Sequence, residues 1–147
     1  MNNLITSALL FAIILLSPPV KAQKHLVEPV KGANTIFIRL PVSGDSAWVR
    51  VGQALFRHQF AIRASDKTLG TITTDERYDV SSDSMLSFSV LFVGQVVTLH
   101  GSERFGPAGR AEPISVKGGA AGMAMQQWRQ MDALAHSMGN EITYGIQ

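Results

Sequence analysis

Four histidines, His25, His58, His100 and His136, are the side chains in this chain best suited to acid–base or metal chemistry. Imidazole titrates near neutrality and ligates metals through either ring nitrogen. Their spacing forms no HxH, HxxxH or HExxH pattern, so no metal site is expected. His58 falls where a helix should end, and a partly protonated ring there suits the helix dipole. Serines are plentiful, but none sits in a GxSxG frame, so a small hydrolase built from His58 or His100 with a nearby serine or acid is the least favoured reading. Asp75, Glu76, Asp79 and Asp83 lie close together without the alternating acidic pattern and distal Glu of a calcium loop. The Gly101-to-Gly106 spacing lacks the Lys-Ser or Lys-Thr of a phosphate loop. No cofactor is expected. Trp128, with Met123, Met125, Met131 and Met138, repeats at helical spacing, which fits a core-facing helix or one wall of an apolar pocket. In the second case Phe88, Val90, Trp128 and Met131 would line it.

Whatever holds these residues is a protein of 147 residues with 46% hydrophobic and 16% charged side chains, a balance suited to one globular domain. The net charge of +2 comes from scattered Lys and Arg, with no basic run to mark a nucleic-acid surface. The lack of cysteine excludes disulfides, thiolate metal sites, a Cys nucleophile and a lipid-bearing N-terminal Cys. Residues 1–22 read as a signal peptide. The apolar run Ala8–Leu16 is too short to span a bilayer comfortably, Ser17-Pro18-Pro19 breaks it, and Val20-Lys21-Ala22 sets cleavage after Ala22. Residues 23–147 are expected to form a single domain, with 23–34 loose. No stable membrane span should remain, and the location should be periplasmic or secreted.

Thr35–Leu40 alternates as a strand ended by Pro41. Asp45, or alternatively Ser43, should cap a helix whose Trp48, Val51, Leu55 and Phe56 form an apolar stripe. Phe60–Ser65 and Thr71–Thr74 read as strands around a hairpin loop that closes at Gly70. DERYDVSSDSM reads as an exposed connection. Met85–Phe92 and Val96–His100 form the most hydrophobic hairpin, which belongs at the centre of the sheet. Gly101–Gly122 is rich in Gly with two prolines, and a short strand is possible near Ile114–Lys117. Met123–Met138 is the second helix, stopped by Gly139-Asn140, and the tail EITYGIQ can add an edge strand. The order β-α-β-β-β-β-α predicts an α+β two-layer sandwich, an antiparallel sheet covered by two helices.

The run AWVRVGQALFRHQFAIRASDKTLGTITTDER joins an aromatic-bearing helix, a reversal, F-x-I, a turn and G-x-I-x-T. It resembles the helix-grip domains of the lipoprotein C subunit of the outer-membrane β-barrel assembly machinery and similar small secreted envelope proteins. The resemblance spans Ala47–Arg77. The lipid-bearing Cys of those lipoproteins is missing here, and Gln59 stands where a Gly commonly ends the helix. The resemblance implies a helix-grip-like fold and assigns no functional residue. Together these features point to an exported, non-enzymatic envelope protein that binds another envelope protein or maintains the envelope. The alternative is a carrier of a small apolar ligand held between the sheet and the second helix.

Overall fold

The computed structural model describes residues 26–117 and 122–147, with nothing said of the side chains of 122–124. The expected signal peptide lies outside the described residues. The protein is α+β: two helices and an eight-stranded antiparallel sheet. In chain order the elements are β1 (Thr35–Arg39), α1 (Gly44–Arg57), β2 (Ile62–Asp66), β3 (Thr71–Thr74), β4 (Arg77–Asp79), β5 (Ser84–Val93), β6 (Val96–Phe105), β7 (Glu112–Pro113), α2 (Gly122–Met138) and β8 (Glu141–Gly145). The strands run β2-β3-β5-β6-β1-β8 across the sheet, with β4 also paired to β5 and β7 to β6. The β5–β6 hairpin is central, as its hydrophobicity predicts, and it is longer at both ends than the alternating apolar pattern indicates. The additional strands have a common cause. The polar run after Thr74 forms β4 because β5 extends past the end of β3 and offers an unpaired edge. β7 finds the same opportunity on β6 beyond β1, and it ends just before Ile114, where the sequence suggested a strand. The tail is an edge strand on β1.

Period-two alternation sends Ile36 and Ile38 of β1, Leu86, Phe88 and Val90 of β5, and Val97 and Leu99 of β6 to one face, where the helices cover them. From α1 come Ala47, Val51, Ala54 and Leu55, and from α2 Trp128, Met131, Leu134, Ala135 and Met138. The α1 stripe is therefore rotated from the expected one. Trp48 is half-buried, stacked on Phe92 at 4.8 Å between centroids, and Phe56 is 81% exposed. The small residues Ala47 and Ala54 face inward because α1 packs against α2 as well as the sheet. The N-cap position is Ser43, with no side-chain cap hydrogen bond; Asp45 lies in the first turn and pairs with Lys67 at 2.9 Å. At the other end Gln59 takes φ +63°. The Gln59 amide donates to Phe56 O (2.9 Å) and the Phe60 amide to Leu55 O (2.9 Å), the paired bonds of a Schellman stop. The Arg50 guanidinium donates to Met138 O, tying the two helices together.

One position admits the second helix to the sheet. A Cβ on Gly101 would lie 2.7 Å from Ile114 Cδ1 and 2.9 Å from both Met131 Sδ and Phe88 Cε1. Strand, helix and the segment after β7 all converge on a missing side chain. Gly101→Ala is expected to lower stability by about 1–3 kcal/mol through overpacking. Ser102→Ala, one residue along and facing the opposite way, should stay within about 0.5 kcal/mol of wild type. Urea unfolding of both variants checks this.

Candidate functional site

The face of the sheet turned away from the helices carries a polar patch. β5 contributes Ser87 and Ser89, β6 His100 and Ser102, β3 Thr73 and β2 Arg63; Asn34, Gln147 and Pro113 close the sides. Together they line a cleft of about 590 Å³. Register builds it: Ser89 lies opposite His100 and Ser87 opposite Ser102 on β5–β6, while Thr35 of β1 lies opposite His100 on its other side. Directly opposed residues of an antiparallel pair place their side chains on one face.

His100 is held by a hydrogen-bonded series. Thr35 Oγ1 donates to Asn34 Oδ1 (3.1 Å) and lies 3.3 Å from His100 Nδ1, within hydrogen-bond reach. Burial lowers the His100 pKa. Asn34 is itself held by Gln147, whose amide donates to Oδ1 (2.9 Å) and whose carbonyl accepts from Nδ2 (3.1 Å). The His100 ring is thus bonded to a threonine, and among the described residues no serine or Asp or Glu side chain stands in hydrogen-bond contact with it. What the cleft offers is an array of donors and acceptors with one guanidinium, Arg63, at its rim.

A second polar cluster lies on the helix side. The Arg77 guanidinium donates to His58 O (2.8 Å) and Gln130 Oε1 (2.6 Å) and stacks 4.2 Å over the Phe60 ring. Gln130 Nε2 in turn donates to Asp79 Oδ2 (2.8 Å), which also accepts from Ser82 Oγ (2.6 Å). Burial pushes the Asp79 pKa up, but the hydrogen bonds from Ser82, Ser81 and Gln130 outweigh it and the net shift is downward. This chain staples β4 and the end of α1 to α2. It also alters the expected role of His58. Burial and the neighbouring Arg57 and Arg77 lower its pKa, so the ring is disfavoured as a cation at the helix end. On the edge strand β8, the Tyr144 hydroxyl donates to Asp132 Oδ1 (2.8 Å), and its pKa is pushed up to about 12 by burial and that bond.

Phe88, Val90, Trp128 and Met131, the residues proposed to line an apolar pocket, are all buried in the common core. Phe88 meets Phe60 edge-on at 4.6 Å, and Trp128 tilts against Tyr144 at 5.9 Å. Glu103 and Gln127, which no motif marked, are also buried. Glu103 Oε1 accepts from Lys117 Nζ (3.1 Å), while its Oε2 and both Gln127 amide atoms lack partners. Unpaired buried polar atoms cost stability. Among the described residues, no three His, Asp or Glu side chains gather closely enough to hold a metal ion, and no helix is long and apolar enough to cross a membrane. The cleft residues were individually visible in the sequence as the polar half of each strand, but their grouping depends on sheet register.

Fold and site together define a small α+β protein with a hydrogen-bonding cleft on the open face of its sheet. No protein-family model matches the chain, and a comparison with curated proteins found no match.

The pH dependence of stability follows from the two lowered histidines. Each binds its proton less readily folded than unfolded, so between the unfolded value of 6.5 and the lower folded value the unfolded chain holds more protons. Stability should be fully present above about pH 6.5 and fall as the pH drops below it. His100→Gln should flatten part of that slope in urea midpoints taken from pH 5 to 8.

Proposed function

We propose that this chain is an exported, non-enzymatic protein of the cell envelope, periplasmic or secreted, that binds another envelope protein across the open face of its sheet. The observation that carries the reading is the cleft itself. Ser87, Ser89, Ser102, Thr73 and His100 present short polar groups beside Arg63, and no Asp or Glu side chain is among the described residues that line the space. Such a surface suits an extended, hydrogen-bonding segment carrying a negative charge, with Arg63 as its anchor. The hydrogen bond of His100 with Thr35, rather than with a serine, favours binding over hydrolysis. The signal-peptide pattern of residues 1–22 and the helix-grip resemblance of Ala47–Arg77 support the envelope assignment. A carrier of apolar ligands draws less support, because Phe88, Val90, Trp128 and Met131 pack against the rest of the core.

Site-specific photocrosslinking in the native envelope tests the reading. A crosslinker at Ser89 should yield a discrete adduct with a second protein, and Arg63→Glu should reduce that yield about tenfold by reversing the anchoring charge. Equal yields from Ser89 and from the exposed Leu69 outside the cleft, or indifference to Arg63→Glu, would overturn it.

A further inference from the structure

The polar residues of the open face follow a line set by the pairing registers. Thr73 of β3 lies opposite Ser89 of β5, Ser89 opposite His100 of β6, and His100 opposite Thr35 of β1. The line therefore runs at right angles to the strands. On one side of it the next outward-facing positions are Leu91, Thr98 and Phe37, again in register. On the other side stand Ser87 and Ser102. Past His100 the line is closed: Thr35 is buried, and Asn34 and Gln147, joined by two hydrogen bonds, form a wall.

At the opposite end the β2–β3 register shifts. Ile62 lies opposite Thr74 and Ala64 opposite Thr73, which leaves Arg63 as an extra residue, a β-bulge. Bulges bend a strand and re-aim a side chain, and Arg63 here joins the residues that line the cleft. Among the described residues Arg63 makes no ion pair or hydrogen bond. Glu76, which feels its charge, is held instead by two bonds from the Arg104 guanidinium. The exposed strand β2 thus presents an unneutralised cation at the open end of a polar track.

Spacing limits what can lie on that track. Neighbouring strands are about 4.8 Å apart, so the three steps from β2 through β3 and β5 to β6 separate Arg63 from His100 by about 14 Å. An extended chain advances about 3.4 Å per residue, and about four residues cover that distance. Alternate side chains of such a chain point the same way, so a residue and its fourth neighbour both face the sheet. We propose that an extended peptide crosses the strands along this line, with an Asp or Glu on Arg63 and the fourth residue beyond it over His100. This crossing presupposes the protein-binding role proposed above and adds a direction and a spacing to it. The short hydroxyls of Thr73 and Ser89 let the peptide lie close and bond through its own amides. A segment laid along β5 would instead pass from Ser89 to Leu91 and leave the bulged arginine two strands away.

Synthetic peptides serve as rulers on the purified protein. Each is a Ser-Thr peptide with a single Glu and a photoreactive benzophenone side chain at a chosen spacing on either side of it. After irradiation and digestion, the adduct should lie on β3 or β5 at a spacing of two residues and on β6 around His100 at four. Replacing the Glu of the peptide by Gln, or Arg63→Ala in the protein, should lower the yield at four residues about tenfold. Circular dichroism verifies that the variant, altered at an exposed position, is folded. Adducts that fail to move with spacing, that spread along β5 toward Leu91 or Ser87, or that form regardless of Glu and Arg63 would overturn the proposal, as would no adduct at any spacing. If that happens while Ser89 still crosslinks in the envelope in an Arg63-dependent way, the protein-binding role stands and only the crossing falls.

Discussion

The packing of this protein depends on an approach that only a glycine permits. At Gly101 the central strand carries no side chain, and Phe88 from the neighbouring strand, Met131 from α2 and Ile114 from the segment after β7 close over the gap. Interiors pack at close to crystalline density, so the missing side chain is filled by its neighbours and sets how near the helix comes to the sheet. Gly139 repeats the device at the other end of α2, where a Cβ would stand 2.8 Å from Arg39 O. Held at both places, α2 lies across β6 and β1, and α1 docks beside it.

That seating divides the molecule chemically. On the covered face the strands contribute aliphatic and aromatic side chains, and the few polar groups there are largely stapled together, as in the series Arg77, Gln130 and Asp79. Among the described residues Arg77 Nε, Glu103 Oε2 and both Gln127 amide atoms are the exceptions. The open face keeps the hydroxyls, His100 and Arg63 in one cleft. The two faces are physically linked: each strand alternates, so the residues that fix the core also fix which polar groups stand together outside. A one-residue slip of β5 on β6 would destroy core and cleft at once.

The proposed role in association rests on the polar character of the cleft. His100 contacts Thr35, and His58 sits beside two guanidiniums. Under the proposed function, the hydroxyls around Arg63 are what would hold a partner.

The sequence by itself determined the local structure wherever one physical signal was strong: the alternation of Leu86, Phe88 and Val90, the Met131-to-Met138 helix face, the stop at Gly139 and the turn at Gly70. From these the α+β class followed. Tertiary structure decided what depends on neighbours distant in the chain. Arg77–Asp79 became a strand because β5 had an edge to pair with, although the run is polar throughout. Phe56 was turned to solvent and Ala47 and Ala54 inward, because a helix wedged between a sheet and a second helix buries its small residues at the close approach, a choice that periodicity alone cannot make. The cleft was decided the same way. Ser87, Ser89, His100 and Arg63 are ordinary polar positions along three separate strands, and only the pairing register brings them to one place.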